Sequence, residues 1–399
     1  MPRSSTPIRP PGAHSERRRK GRRVRDLRGA VLAAACLVLC ACGPHDERLG
    51  SYNVDPAKTV VAGVSSGAFM AVQLHVAYSK TFHAAAVYAG GPFDCARGTF
   101  DGAMACAVRG ANLAQLEATT DRWSAEAAID PVSNLKGESA YLWSGSRDRM
   151  VEQRVMNQLQ SFYRHYGVAT AYERSFPAGH GWESPYGEAA CGSTRIPFVL
   201  DCDTYDSERT WLERFLGPLR PKNAGTLRGR LVPFDQSEFT SAAASMDRRG
   251  WIFVPADCAD GKTCALVVAL HGCLQNQSLI GTTFAREAGL DQWADTNGII
   301  VLYPNAAMNL ENPAGCWDWW GYTGRAYARK SGPQMRAIAS MVERIEAGIR
   351  ERSGLDGLGS HDGAIAEPAR KQRLLRSVRK TRRRGVAPGA EPSSSGVRY

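Results

Sequence analysis

Ser65 stands at the centre of Gly63-Val64-Ser65-Ser66-Gly67, a G-x-S-x-G pentapeptide. The apolar run Thr59-Val60-Val61-Ala62 precedes it and the helix-like run Ala68-Phe69-Met70-Ala71-Val72-Gln73-Leu74 follows, so the serine is expected on a tight strand-to-helix turn. Such a turn exposes the hydroxyl, and small neighbours let strand and helix pass close together. A bare match to the pentapeptide occurs by chance in many chains, so its weight rests on context. A nucleophilic serine needs a base to take its proton, an acid to orient that base, and N–H donors for the developing oxyanion.

Asp148 lies in Gly145-Ser146-Arg147-Asp148-Arg149-Met150-Val151, just past the strand-like Ala140 to Ser144 and before a helix. That position suits an orienting carboxylate and equally a helix N-cap. His180 lies in Pro177-Ala178-Gly179-His180-Gly181-Trp182, flanked by glycines and free of apolar periodicity, so a packed core histidine is not expected there. His75 and His165 fall within helical runs, and His83 at a strand start. Ser65, Asp148 and His180 therefore follow one another in the order of nucleophile, acid and base in an α/β hydrolase. The N–H of Ser66 is the expected first oxyanion donor. A loop of the kind that supplies the second, His271-Gly272-Cys273-Leu274-Gln275-Asn276, follows the strand-like Ala265 to Leu270. It stands far downstream of the serine, where an ordinary α/β hydrolase has it upstream.

The elements that must position these groups alternate. Thr59 to Val64, His83 to Tyr88, Ala140 to Ser144 and Thr170 to Phe176 read as strands, with helix-like runs such as Val151 to Tyr166 between them. Residues 220–249 read as a polar connector carrying a short strand, Gly229 to Phe234. Trp251 to Pro255, Ala265 to Leu270 and Gly298 to Tyr303 are again strand-like, and Gln334 to Arg350 is an amphipathic helix. Alternation of this kind implies a mostly parallel sheet with helices on both faces. The strands that should lead into the nucleophile strand instead end the domain, and joining Arg350 to Tyr52 restores the usual order. We therefore expect a circularly permuted α/β hydrolase, one catalytic domain over residues 51–352.

The net charge of +11 invites a nucleic-acid reading, but the surplus sits at the ends. Residues 1–30 hold ten Lys/Arg against two Asp/Glu and residues 355–399 ten against four, so the span between is net negative. No nucleic-acid partner is expected, since binding would need a basic folded face. Residues 1–42 read as an export signal: basic runs precede the apolar Ala30 to Ala41, and Leu39-Cys40-Ala41-Cys42-Gly43 makes Cys42 a candidate for lipidation and membrane attachment. The product is expected outside the cytoplasm, extracellular or periplasmic and optionally lipid-anchored. Residues 355–399, Gly-, Pro-, Ser- and Arg-rich without periodicity, read as a disordered basic tail.

Beyond the signal stand eight cysteines, and an oxidising compartment makes disulfides their default state. Spacing offers Cys95 with Cys106, Cys191 with Cys202 and Cys258 with Cys264, leaving Cys273 for Cys316, although sequence alone leaves the connectivity open. No Cys or His cluster at ligand spacing marks a metal site, and acyl transfer of this kind needs no cofactor.

Several separated motifs carry a more specific resemblance. Gly63 to Gly67, Ala178-Gly179-His180-Gly181-Trp182, Leu270-His271-Gly272-Cys273, Cys316-Trp317-Asp318-Trp319-Trp320-Gly321 and Lys330-Ser331-Gly332-Pro333-Gln334-Met335 resemble the permuted catalytic domain of poly(3-hydroxybutyrate) depolymerases. The resemblance implies hydrolysis of the ester bonds of a short-chain polyester or its oligomers through an acyl-serine intermediate, and a monomer is expected. It carries the nucleophile to Ser65, the acid to Asp148, the base to His180 and the oxyanion donors to the N–H groups of Ser66 and Cys273. Residues 355–399 do not resemble the substrate-binding domain found in many extracellular members. The aromatic cluster Trp317, Trp319, Trp320 and Tyr322, with Phe69 and Trp182, is expected to furnish one or two walls of an ester-chain groove. Two other readings stand beside the polyester one: a feruloyl or acetyl esterase on plant polysaccharide, and a non-catalytic polymer-binding surface lipoprotein.

Overall fold

The computed structural model describes residues 48–203 and 205–356, with side chains through residue 348. The export-signal reading, Cys42 and nearly all of the 355–399 tail lie outside the described residues.

In chain order the described strands are β1 (Val54–Val64), β2 (Ala84–Tyr88), β3 (Ser139–Trp143), β4 (Ala169–Glu173), β5 (Trp182–Glu183), β6 (Ala189–Ala190), β7 (Val199–Asp201), β8 (Arg230–Asp235), β9 (Arg249–Val254), β10 (Cys264–Leu270) and β11 (Ile299–Tyr303). Eight of them form one sheet in the order β4-β3-β2-β1-β10-β11-β9-β8. β1 lies at its middle, parallel to both β2 and β10. Only β9 runs against its neighbours, antiparallel to β11 and to the edge strand β8. Among the helices are α1 (Ser66–Ala77), α2 (Phe100–Arg109), α3 (Leu113–Ala125), α4 (Gln153–His165) and α5 (Ser207–Leu216), and a C-terminal helix spans Pro333–Asp356.

Side-chain alternation explains why both faces are covered. In β10, Leu266, Val268 and Leu270 face one apolar cluster, whereas Ala265, Val267 and Ala269 face the other. β1 divides likewise, Val61 to the first and Val60, Ala62 and Val64 to the second. Period-two strands that are apolar on both sides need helices on both sides. The first cluster takes α1, α4 and the C-terminal helix, and the second takes α5 and the helix Leu290–Asn297. Every residue of α1 is buried. Its large apolar side chains, such as Met70, Val72 and Leu74, each contribute about 1.5–3 kcal/mol by leaving water.

The permutation is visible where the chain enters the domain. The Tyr52 N–H donates to the Ile345 carbonyl of the C-terminal helix at 2.7 Å. A Cβ at Gly348 would lie 2.5 Å from the Tyr52 carbonyl oxygen, so only glycine lets the two segments touch. Read from β8 to β11 and then from β1 to β4, the strands follow the usual hydrolase order. The connector is more than a link, because β8 joins the main sheet as its edge strand. Among the described residues no helix is long and apolar enough to cross a membrane.

Candidate active site

Ser65 occupies the turn between β1 and α1 at φ 57° and ψ −122°. A non-glycine residue with positive φ costs on the order of 1–3 kcal/mol and persists only where its surroundings hold it. The Ser65 N–H donates to the Tyr88 carbonyl at the end of β2, at 2.9 Å, and the Ser65 carbonyl accepts from Phe69 at 3.0 Å. A Cβ at Gly63 would sit 2.2 Å from the Gly67 carbonyl oxygen, and one at Gly67 would sit 2.3 Å from that of Leu270. Those two glycines let α1 start directly against β1 and the end of β10.

Asp148 and His180 are both almost fully buried and bonded to each other, with Asp148 Oδ2 2.8 Å from His180 Nδ1. The other carboxylate oxygen, Oδ1, accepts from the N–H groups of Met150 and Val151 at 2.8 and 3.0 Å. Asp148 is not the cap of the following helix, because α4 begins at Gln153 with Glu152 at its N-cap. The turn instead aims its carboxylate at the histidine. His180 sits on a loop held by Gly179 N–H to the Cys191 carbonyl, 2.8 Å, and by its own N–H to Thr194 Oγ1, 3.1 Å. A small sheet ordered β5-β7-β6 and the Cys191–Cys202 disulfide hold that loop in place.

The loop after β10 lies against the serine. A Cβ at Gly272 would be 3.2 Å from Ser65 Cβ. Among the described residues, neither the Ser66 N–H nor the Cys273 N–H meets a protein acceptor. His271 is buried and neutral: its Nε2 accepts from the Ala306 N–H at 3.1 Å, leaving Nδ1 to donate to the Gly272 carbonyl at 2.7 Å. Burial lowers its pKa to about 4, against the smaller opposing pull of the Gly272 carbonyl. Gln275, which sequence placed in the loop without a task, spans two loops. Its Oε1 accepts from the Gly272 N–H at 2.6 Å, while its Nε2 donates to the carbonyls of Pro197 and Phe198 at 2.7 and 3.3 Å. The Phe198 carbonyl also accepts from Trp182 N–H, so Gln275 ties the Cys273 loop to the histidine loop.

The four cysteine pairs are Cys95–Cys106, Cys191–Cys202, Cys258–Cys264 and Cys273–Cys316. The last joins the Cys273 loop to the aromatic loop. That loop folds around buried Asp318, whose carboxylate accepts from the N–H groups of Trp320, Gly321, Tyr322 and Thr323 and from Thr323 Oγ1. Gln73 on α1 donates to its main-chain carbonyl at 3.1 Å. Phe69 stacks on Trp319 with ring centroids 3.8 Å apart, and Trp319 meets Trp320 edge-on at 5.9 Å. The Tyr322 hydroxyl donates to the Cys316 carbonyl at 2.7 Å.

Two of the six expected groove aromatics are closed off. Trp317 has no exposed surface and packs beside His271. Trp182 lies in the other core, stacked on Tyr88 and donating from Nε1 to Glu208 Oε1 at 2.7 Å. Glycines beside an aromatic look alike in sequence whether the ring faces substrate or core, and only the sheet register separates them. Beside Trp182, burial pushes the Glu183 carboxyl up to about 8 and lifts that of Glu208 well above the usual carboxylate range. Phe69, Trp319 and Trp320 keep a small exposed edge, and Tyr322 is half-buried. Among the described residues no group of His, Cys, Asp and Glu could hold a metal ion.

A family model described as Esterase PHB depolymerase matches residues 251–371. A poly(3-hydroxybutyrate) depolymerase of Delftia acidovorans is 39% identical over 330 residues, which are 80% of this chain and 66% of that protein. The chain therefore spans just under two thirds of the Delftia protein. A polyhydroxybutyrate depolymerase of Talaromyces funiculosus is 37% identical over 340 residues, 80% of this chain and 99% of the fungal one. Among solved structures, PHB depolymerase from Penicillium funiculosum superposes with a TM-score of 0.70 at 37% identity, covering 75% of this chain and 99% of its own. A serine-to-alanine variant of PHB depolymerase in complex with an R3HB trimer matches with the same TM-score at 36% identity.

Proposed function

The chain belongs to the poly(3-hydroxybutyrate) depolymerase family, and from that membership we propose that it hydrolyses ester bonds of poly(3-hydroxybutyrate), of related short-chain polyhydroxyalkanoates and of their oligomers. Ser65 is the nucleophile. His180, oriented through Nδ1 by Asp148, takes the Ser65 proton on Nε2 as the oxygen attacks the ester carbonyl. The oxyanion rests on the N–H groups of Ser66 and Cys273. Collapse breaks the C–O bond, and the alcohol leaves with the proton from His180. Water, deprotonated by the same histidine, then attacks the acyl-serine and releases the acid. Edges of Phe69, Trp319 and Trp320 line the ester chain.

The observation that supports this most is the 2.8 Å bond between Asp148 and His180, both buried, in a domain whose Ser65 sits at positive φ between β1 and α1. Desolvated pairs of this kind fix the tautomer that leaves Nε2 free to accept a proton. Four disulfides suit an oxidising compartment, so we place the enzyme outside the cytoplasm, with Cys42 as an optional lipid anchor.

Release of soluble acid from amorphous poly(3-hydroxybutyrate) tests the assignment. Ser65→Ala is expected to lower turnover by roughly four orders of magnitude or more with the fold intact. Equal activity of the variant would point to a polymer-binding protein. Activity on methyl ferulate alone would point to a polysaccharide esterase.

A further inference from the structure

A concavity of about 380 Å³ opens beside the aromatic loop, at Gly321. Three guanidinium groups line it, those of Arg97, Arg122 and Arg325. Among the described residues Arg97 and Arg325 have no ion-pair partner, and Arg122 has only an exposed Glu126 at 3.9 Å. One carboxylate faces them, that of Asp94. Burial raises its pKa, with Tyr327 and then Arg97, Arg329 and Arg122 pulling the other way. The Tyr327 hydroxyl donates to it at 2.5 Å. Three cations against the already-bonded Asp94 carboxyl and the exposed Glu126 leave the concavity a surplus of positive charge.

The concavity has a fixed frame. The Tyr327 hydroxyl also accepts from the Gly98 N–H at 3.3 Å, and Gly98 packs against Gly321, both in positive φ. Cys95–Cys106 closes the segment from which Arg97 projects. Rings connect this frame to the nucleophile turn: Phe69 stacks on Trp319, Trp319 meets Trp320, and Trp320 meets Phe100 edge-on at 5.9 Å. Phe100 directly follows Thr99, which lines the concavity.

We propose that this concavity is a carboxylate subsite that holds the acid terminus of an oligomeric hydroxyacid ester. The inference rests on the ester-hydrolase reading above and adds to it a direction. Such a chain runs from a free hydroxyl to a free carboxylate. At any scissile ester the acyl half, which passes to Ser65, lies toward the hydroxyl end, and the departing alcohol half carries the carboxylate. The aromatic track therefore carries the leaving-group side, and the arginines clamp its end in the planar, two-pronged manner that guanidinium and carboxylate favour. The same chemistry would also hold a released hydroxyacid anion.

The test compares a free-acid 3-hydroxybutyrate trimer with its methyl ester, using the full chain. The expected ratio of kcat/KM, acid over ester, is about ten at low ionic strength, arises in KM, and shrinks in high salt as exposed charges are screened. Arg97→Gln/Arg122→Gln/Arg325→Gln is expected to bring the ratio to about one, whereas Arg154→Gln, an exposed arginine elsewhere, keeps it. Thermal melting checks that the triple variant is folded. A wild-type ratio near one, or a ratio that survives in the folded triple variant, overturns the subsite. Inhibition by free 3-hydroxybutyrate that weakens in the triple variant, with no acid-over-ester preference, overturns the chain-end assignment in favour of product binding. If wild-type protein cleaves neither trimer, the ester-hydrolase reading itself fails.

Discussion

Ser65 costs the fold its strain locally, and the residues that offset it are not its sequence neighbours alone. Tyr88 supplies the acceptor for its N–H, and Leu270 supplies the backbone against which Gly67 lies. Gln275 extends this logic to the loop proposed to carry the second oxyanion donor. The residue is 2% exposed, and its amide bonds Gly272 on one loop and Pro197 and Phe198 on another. Replacing it with leucine would leave the Gly272 N–H without its partner, at a cost of about 1–3 kcal/mol. Gln275→Leu is expected to lower kcat about tenfold to a hundredfold with KM changed less than threefold, because the proposed Cys273 donor would be displaced rather than the ester chain. A purely structural role would show as a lower melting point with normal kcat at low temperature, and that outcome would remove Gln275 from the positioning machinery. Sequence marked Ser65, Asp148 and His180 because each announces itself through immediate context: a turn, a strand end, a pair of glycines. Gln275 had no such signal, since its partners on the histidine loop lie more than seventy residues away in the chain.

At the scale of elements, loops with little regular structure are fixed by cross-links. The aromatic loop wraps the Asp318 carboxylate, and its first residue is tied to the Cys273 loop through Cys273–Cys316. That disulfide spans 43 residues, and the chain-entropy account assigns it about 4 kcal/mol of stability. Cys273→Ser/Cys316→Ser is expected to move the urea midpoint down accordingly and to lower turnover on amorphous polymer, because the proposed second oxyanion donor would then ride on an untethered loop. An unchanged midpoint and unchanged turnover would mean that the hydrogen bonds around Asp318 and Gln275 suffice. The long strands were legible because alternation and β-branched runs report burial on both faces, as in Ala265 to Leu270. The small β5-β7-β6 sheet was not, since strands of two or three residues such as Trp182–Glu183 show no period. Trp182 shows the same limit. Its ring is drawn into the core by Glu208 and Tyr88, partners that a reading of the local sequence does not supply.

At the scale of the whole molecule, the order of the chain and the order of the sheet are separable, and the structure shows where they were separated. Tyr52 touches the C-terminal helix at Ile345 and Gly348, so the ends of the hydrolase fold meet. The connector is held on both sides of one exposed point: Arg220 bonds Asn297 and Asn223 bonds Gln292 and Asp295, Arg228 and Gly229 bond Asp295 again, and Gly225 between them is exposed. Closing the first junction and opening the second should therefore return the chain to the usual hydrolase order without disturbing the core. A permutant that starts at Gly225, joins Arg352 to Arg48 so that buried Leu49 is kept, through about six glycine and serine residues, and ends at Ala224 has a linker with a reach of roughly 12–15 Å. Nearly all the contacts that bury β1 and β10 are unchanged by the rearrangement. The permutant is expected to melt within a few degrees of the parent and to keep turnover within about fivefold. Its disulfides stay as they are, because no pair depends on the connector for proximity. An insoluble product would show that β8 needs its covalent tether to reach the sheet edge. A well-folded but inactive one would show that the strained Ser65 turn draws support from the native path of the segment just before β1.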